Sequence, residues 1–315
     1  MRGLIWTVFV WLLALSMVGP AFAGESEPVD TGKVTASIVS THDSVAPGQE
    51  FYIALRTVLN EGWHTYWRNP GDSGEPVQIN WELPEGITAG EISWPLPRPI
   101  PTGPIVNYGF EGTPLFPVKF TVGPDVQLGS DITVTSNFYY LVCADICIPE
   151  DGSVSLSIAV GEPVEDVRWS AEIQAALAAS PIGGEVQGAI QRSGETVDIS
   201  FIDLPDGDFS DAYFFPYDQG VIGHSNPQAV TRGAEGLRLS TTPEYLWEET
   251  VPDTLEGVLT YEEGGELKGT KVALAVGQSL NIGAAAGPKA AVGGVTLWTA
   301  IIGALIGGLI LNLMP

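Results

Sequence analysis

Cys143 and Cys147 are the whole thiol content of the chain, and three residues separate them in the stretch YYLVCADICIPE, residues 139–150. A pair at this spacing suits three kinds of chemistry: a bracing disulfide, a disulfide that exchanges with another thiol, or a soft metal site. A brace is the default for an exported chain. Its benefit grows with the loop it closes, about 2 kcal/mol for five residues against about 4.7 for a hundred. A bridge that braces a sandwich joins strands far apart in sequence, whereas this one staples a turn to itself. A bond confined to a tight surface loop belongs with the labile disulfides that exchange.

A Cu(I) site is the alternative, with both thiolates and His64 as ligands. A histidine between Trp63 and Tyr66 is more often packed than ligating, and no methionine lies near the pair. Exchange requires control over access to the sulfurs, a task suited to aromatic side chains. Tyr140 precedes the loop, and Tyr108 and Phe110 in NYGFEG (107–112) are candidate shields from a neighbouring connection. Asp145 and Glu150 add negative charge, which opposes thiolate formation and predicts a sluggish thiol until a partner docks. No GxSxG, HExxH, Walker loop or glycine-rich dinucleotide turn occurs, and His42 and His224 read as surface-loop residues.

The elements that must position the pair are strands. Apolar residues alternate at Val34, Ala36, Ile38; Phe51, Ile53, Leu55; Val77, Ile79, Trp81, Leu83; and Phe116, Val118, Phe120, Val122. Runs over 132–142 and 154–160 follow, so residues 24–162 read as an immunoglobulin-like antiparallel sandwich with the cysteines between its last two strands. Residues 163–183 read as a linker with a short helix over 167–179. A second β pattern over 184–280 predicts a second, smaller sandwich, and the fold class is therefore all-β with two tandem immunoglobulin-like sandwiches. WPLPRPIPTGP, 94–104, is expected as an extended surface loop.

The ends set the compartment. Arg2, an apolar run over 4–18 and Ala21-Phe22-Ala23 make residues 1–23 a signal peptide. A glycine-alanine tether over 281–291 leads to an uncharged apolar run, 292–315, long enough for a transmembrane helix. That run stops at Pro315 without a polar flank, which reads as an interrupted membrane domain. The net charge of −25, from 38 acidic and 13 basic residues, argues against nucleic acid or anionic lipid surfaces as partners.

GWHTYWRNPGDSG (62–74), NYGFEG, YYLVCADICIPE, FFPYDQGVIGHSNPQ (214–228) and the terminal LILNLMP together resemble the DsbD family of membrane thiol:disulfide interchange proteins, and within it the ScsB-type branch linked to copper tolerance. The resemblance implies a protein-disulfide reductase in the bacterial inner membrane, without cofactor or metal, its soluble domains in the periplasm. Electrons would pass from a membrane domain through a thioredoxin-like domain to the immunoglobulin-like N-terminal domain. That domain would pass them to periplasmic thioredoxin-like isomerases or reductases. Carried over by motif, Cys147 would form mixed disulfides with partners and Cys143 would resolve them, under a cap loop where NYGFEG falls. A binding module that uses residues 94–104 and keeps the disulfide as a turn brace is the remaining alternative.

Overall fold

The computed structural model describes residues 24–284. The expected signal peptide and transmembrane segment lie outside these residues, and no helix among the described residues is long and apolar enough to cross a membrane. The described chain is nearly all β.

Two sheets form the first unit. One runs Val29–Asp30, Val34–Ser40, Glu50–Leu59, Leu115–Val122, Ile87–Ile92 in spatial order. The other runs Val164–Glu165, His42–Val45, Cys147–Val160, Asp131–Cys143, His64–Gly71, Ile105–Glu111, Arg98–Thr102, with Gln78–Glu82 added beside Asp131–Cys143. Alternation gives each sheet an apolar inner face. Phe51, Ile53, Leu55, Phe116, Val118 and Phe120 come from the first, and Val134, Phe138, Tyr140 and Val142 from the second. Each such side chain contributes about 1.5–3 kcal/mol when removed from water, and their period of two leaves no freedom about which face is inward.

The spine of the second sheet is a long hairpin. Asp131–Cys143 pairs with Cys147–Val160 without a register shift, from Asp131 opposite Ala159 to Cys143 opposite Cys147. The two cysteines are the last cross-strand pair before a three-residue connection.

Several strands carry no clean apolar period and were not expected, chief among them His64–Gly71, Ile105–Glu111 and Arg98–Thr102. The last of these corrects the reading of residues 94–104 as a loop. Arg98 to Thr102 pair with Gly109 to Ile105, with Pro99 and Pro101 on the outermost strand of the sheet. Proline cannot donate to a ladder, and an edge is where a strand tolerates it and where it blocks further pairing.

The helix Val167–Ala178 begins at Asp166, whose carboxylate accepts from the Trp169 N–H at 2.9 Å. It lays Trp169 and Ile173 on Val39 and Ala54 of the first unit.

The second unit is one eight-stranded sheet, not two facing sheets: Asp208–Pro216, Thr254–Glu263, Glu266–Val276, Gln187–Ser193, Thr196–Ile202, Gly236–Thr241, Ala229–Arg232, with Ile182–Gly183 beside Glu266–Val276. Its ends curl together around Phe201, Phe209, Phe214, Leu237, Leu239 and Leu259. The Gln228 amide closes the gap. Its Oε1 accepts from Phe214 N–H at 2.8 Å and its Nε2 donates to Phe214 O at 2.8 Å, as a neighbouring strand would.

The units share a core. Phe215 and Val258 pack into the cluster of the first sandwich. Asn69 Nδ2 donates to Pro216 O at 2.8 Å and to Asp218 O at 3.2 Å. His224, expected in a surface loop, is 5 % exposed, and its Nδ1 lies 2.8 Å from Tyr108 Oη, which lies 3.1 Å from Tyr213 Oη. Residues 214–228 are therefore an interdomain segment.

Burial holds His224 and His64 below the ordinary imidazole range, against the opposing pull of Asp72 and Glu111 respectively. The folded chain thus binds fewer protons at these sites than the unfolded chain, whose histidines titrate near pH 6.5. The stability this confers is complete above about pH 6.5 and is lost as pH falls through the depressed folded values. We expect a lower urea midpoint at pH 5 than at pH 7.5, with a smaller difference in His224→Asn. An equal pH difference in the variant would remove His224 from the account.

Candidate functional site

The hairpin ladder brings Cys143 and Cys147 to a Cα separation of 4.1 Å, and the two sulfurs are bonded. The pair is asymmetric. Cys143 is 1 % exposed, while Cys147 is an exposed residue beside Ile146, itself 65 % exposed. Of the two residues, Cys147 is the one open to solvent.

Cross-strand partners in an antiparallel ladder project to the same face. Cys147 is opposite Cys143, Cys143 opposite His64, and His64 opposite Glu111, so one row of four side chains crosses the sheet on the face away from the sandwich core. His64 is 3 % exposed and kept neutral by burial near pH 7, so it supplies no positive charge to the sulfurs there.

Tyr66, two residues along from His64, is fully buried, and its hydroxyl donates to Cys143 Sγ at 2.7 Å. Cys147 Sγ is 3.6 Å from the same oxygen. Burial raises the Tyr66 pKa, only partly offset by a hydrogen bond with Ser73, so the phenol stays protonated and remains a donor at every physiological pH. The Tyr66 ring rests edge-on against His64, centroids 5.3 Å apart.

The cover over this face is the turn following His64–Gly71. Gly74, with φ +106°, lies so close to the Tyr66 ring that a Cβ there would collide with it. Ser73 donates to Asn107 Oδ1 at 3.0 Å, and Asp72 accepts from Val106 N–H at 2.7 Å. Glu75 hydrogen-bonds Tyr139 and, after burial, is the next cause of its raised pKa.

The three aromatics expected as shields lie elsewhere. Tyr108, Phe110 and Tyr140 all belong to the inner core cluster, on the face opposite Cys143. Phe110 packs on Phe116 at 5.5 Å, Tyr108 meets Phe215 at 4.8 Å, and Tyr140 stacks on Phe138 at 5.3 Å with its hydroxyl 2.9 Å from Thr31 Oγ1. Nearness in sequence to the cysteines, or to a loop, did not reveal the face. The aromatic that touches the sulfurs is Tyr66. The signal that finds it is parity: a tyrosine two positions from a histidine paired with Cys143 must share its face.

Of the two acidic neighbours, Asp145 is exposed, whereas Glu150 is turned inward. The Glu150 carboxylate accepts from Thr31 Oγ1 at 2.6 Å and from Lys33 N–H at 2.8 Å. Among the described residues no group of three or more His, Cys, Asp or Glu is placed to hold a metal ion.

Residues 35–158 match the model of the N-terminal domain of thiol:disulfide interchange protein DsbD. Among solved structures, the N-terminal periplasmic domain of ScsB from Proteus mirabilis is similar over 82 % of this chain and 100 % of its own, at 18 % identity and a TM-score of 0.62. A chimeric titin Z1Z2 protein, at 10 % identity over 80 % of this chain and 100 % of its own, reaches a TM-score of only 0.19 and carries no weight. No curated protein sequence matches. The ScsB likeness extends past the matched domain into the second unit, and at this identity it speaks for the fold.

Proposed function

We propose that the DsbD-type N-terminal domain formed by residues 35–158 is the thiol-disulfide exchange module of a transmembrane electron relay, acting in the periplasm as a protein-disulfide reductase. Its partners would be thioredoxin-like proteins on both sides: an upstream domain that reduces the pair and a downstream isomerase or reductase that oxidises it, with service in copper tolerance included. Anchorage in the inner membrane would come from residues 292–315. The observation that carries the reading is the asymmetric pair, with Cys147 exposed and Cys143 buried against a phenol.

In the forward direction the Cys147 thiolate attacks a partner disulfide. One partner sulfur leaves as a thiolate and takes up a proton, and a mixed disulfide joins Cys147 to the other. Cys143, as thiolate, then attacks Cys147 Sγ; the second partner sulfur leaves and is protonated, and the Cys143–Cys147 bond closes. Two electrons have passed to the partner, whose disulfide is now a dithiol. In re-reduction an upstream thiolate attacks Cys147 Sγ, and Cys143 departs as the thiolate and takes up a proton. A second upstream thiolate then attacks the first upstream sulfur, Cys147 leaves and is protonated, and the upstream pair is left as a disulfide. Tyr66 donates to Cys143 at both moments when that sulfur carries charge, and a charge-assisted bond of this kind is among the stronger ones.

The test is a thiol-redox titration of the full-length protein against dithiothreitol and glutathione couples. We expect reversible opening within the range of thioredoxin-like partners, between about −120 and −270 mV. In Tyr66→Phe, losing a hydrogen bond to a charged sulfur should raise the Cys143 thiol pKa by about one to two units and slow re-reduction by about tenfold or more. A potential far below this range would instead make the disulfide a turn brace. Tight, stoichiometric Cu(I) binding by the reduced pair would favour the copper alternative.

A further inference from the structure

A second concave site lies at the junction of the two units. A cavity of about 340 Å³ is walled by Trp67 and Arg68 from His64–Gly71, by Trp94 of the first unit, by Leu177 of the helix, and by Tyr217 and Lys271 of the second unit. Its size falls within the range of small-ligand pockets, about 300–1,000 Å³. In a chain with 38 acidic and 13 basic residues, two cations on one cavity are out of proportion.

Neither cation is neutralised. Among the described residues, the ion pairs are Lys119–Glu50, Arg168–Glu25, Arg192–Glu248 and Lys268–Glu266, and neither Arg68 nor Lys271 belongs to one. Arg68 lies flat over the Tyr217 ring, its guanidinium carbon 4.1 Å from the centroid. That stacking orients the group and leaves its N–H edge open for a planar acceptor. Glu91 also borders the cavity, so two positive charges stand against one negative.

Behind this wall lies an unpartnered buried donor. Trp67 is 0 % exposed, and its Nε1–H has no hydrogen-bond partner among the described residues. A buried indole N–H normally finds an acceptor. Of the other lining residues Ile92, Trp94, Leu177 and Pro181 are apolar, Tyr217 offers its ring, and Ser93 and Ser180 are polar, which suits a ligand with a hydrocarbon or aromatic body and a polar end.

We propose that this junction is a binding site for a small organic carboxylate with an aromatic or aliphatic body. The carboxylate accepts from Arg68 and Lys271, and the body lies against Trp94, Tyr217 and Leu177, beside the buried Trp67 indole. Since its walls come from both units and from the helix between them, an occupant ties the two together. The site is separate from the disulfide and does not depend on the exchange reaction.

The test is titration of the full-length protein with 3-phenylpropionate, with uncharged 3-phenylpropanamide as its isostere, followed by tryptophan fluorescence and by the Trp67 indole N–H resonance, assigned from Trp67→Phe. We expect saturable binding of the acid, at least about tenfold weaker binding of the amide, and about tenfold weakening of the acid in either Lys271→Gln or Arg68→Gln. Both altered residues are exposed, so these variants retain the fold. The Trp67 resonance should shift with the acid. Equal binding of acid and amide, no saturation up to about 10 mM, or binding indifferent to both variants would overturn the proposal.

Discussion

A Cys143→Ala variant of the full-length protein, mixed with an oxidised thioredoxin-like partner, is expected to accumulate a mixed disulfide through Cys147, and its multiple-turnover reduction of that partner should fall by at least about a hundredfold. The first displacement remains available, because the exposed sulfur is intact. The second does not, because the only other thiol in the chain is gone. Cys147→Ala should give almost no adduct, since the sulfur left in place is 1 % exposed and covered by Tyr66. Non-reducing electrophoresis and intact mass read both results. Equal adduct from the two single variants would reverse or erase the assigned roles, and adduct from neither would remove the exchange reading itself.

Trp67→Ala should be the most destabilising single change at the junction of the two units. Trp67 is fully buried in the core cluster of the first unit, and its ring meets Phe215 at 6.0 Å and Tyr217 at 5.7 Å across the boundary. Truncating a buried tryptophan costs about 3–5 kcal/mol, a large share of the roughly 5–15 kcal/mol that holds a typical domain folded. The shared cluster makes the loss common to both units, so urea unfolding should begin earlier. A transition seen as one in the parent should separate into two when followed by Cys143–Cys147 reactivity and by far-ultraviolet dichroism. A loss under about 1 kcal/mol, with coincident transitions, would mean that the units fold independently of this contact.

These two residues also mark how far the sequence could be read. Cys143 and Cys147 announce themselves by number and spacing, and the alternation over 132–142 and 154–160 places them at the connection of two strands, because one slip of register would turn every apolar side chain outward. Trp67 and Tyr66 sit in a strand whose sequence, HTYWRNPG, has no period of two in polarity. Both of its faces are buried, one by the sandwich and the second unit, the other by the turn around Gly74. A strand covered on both sides loses the polar alternation by which strands are recognised. Tyr108, Phe110 and Tyr140, the aromatics that the sequence offers as shields, are committed to the core instead.

What is local or cumulative can be read along the chain: the all-β character, the helix after Asp166, the acidic charge, and a thiol pair whose short spacing makes poor use of a bridge as a brace. Tertiary structure alone decided which cysteine is reachable, which phenol donates to the buried one, and that the second unit is a single curled sheet sharing a core with the first. The physical reason is that burial and hydrogen-bond partnership are set by contacts between segments distant in the chain. Tyr66 and Cys143 are separated by 77 residues, Tyr108 and His224 by 116. No periodicity within either segment encodes the other's approach.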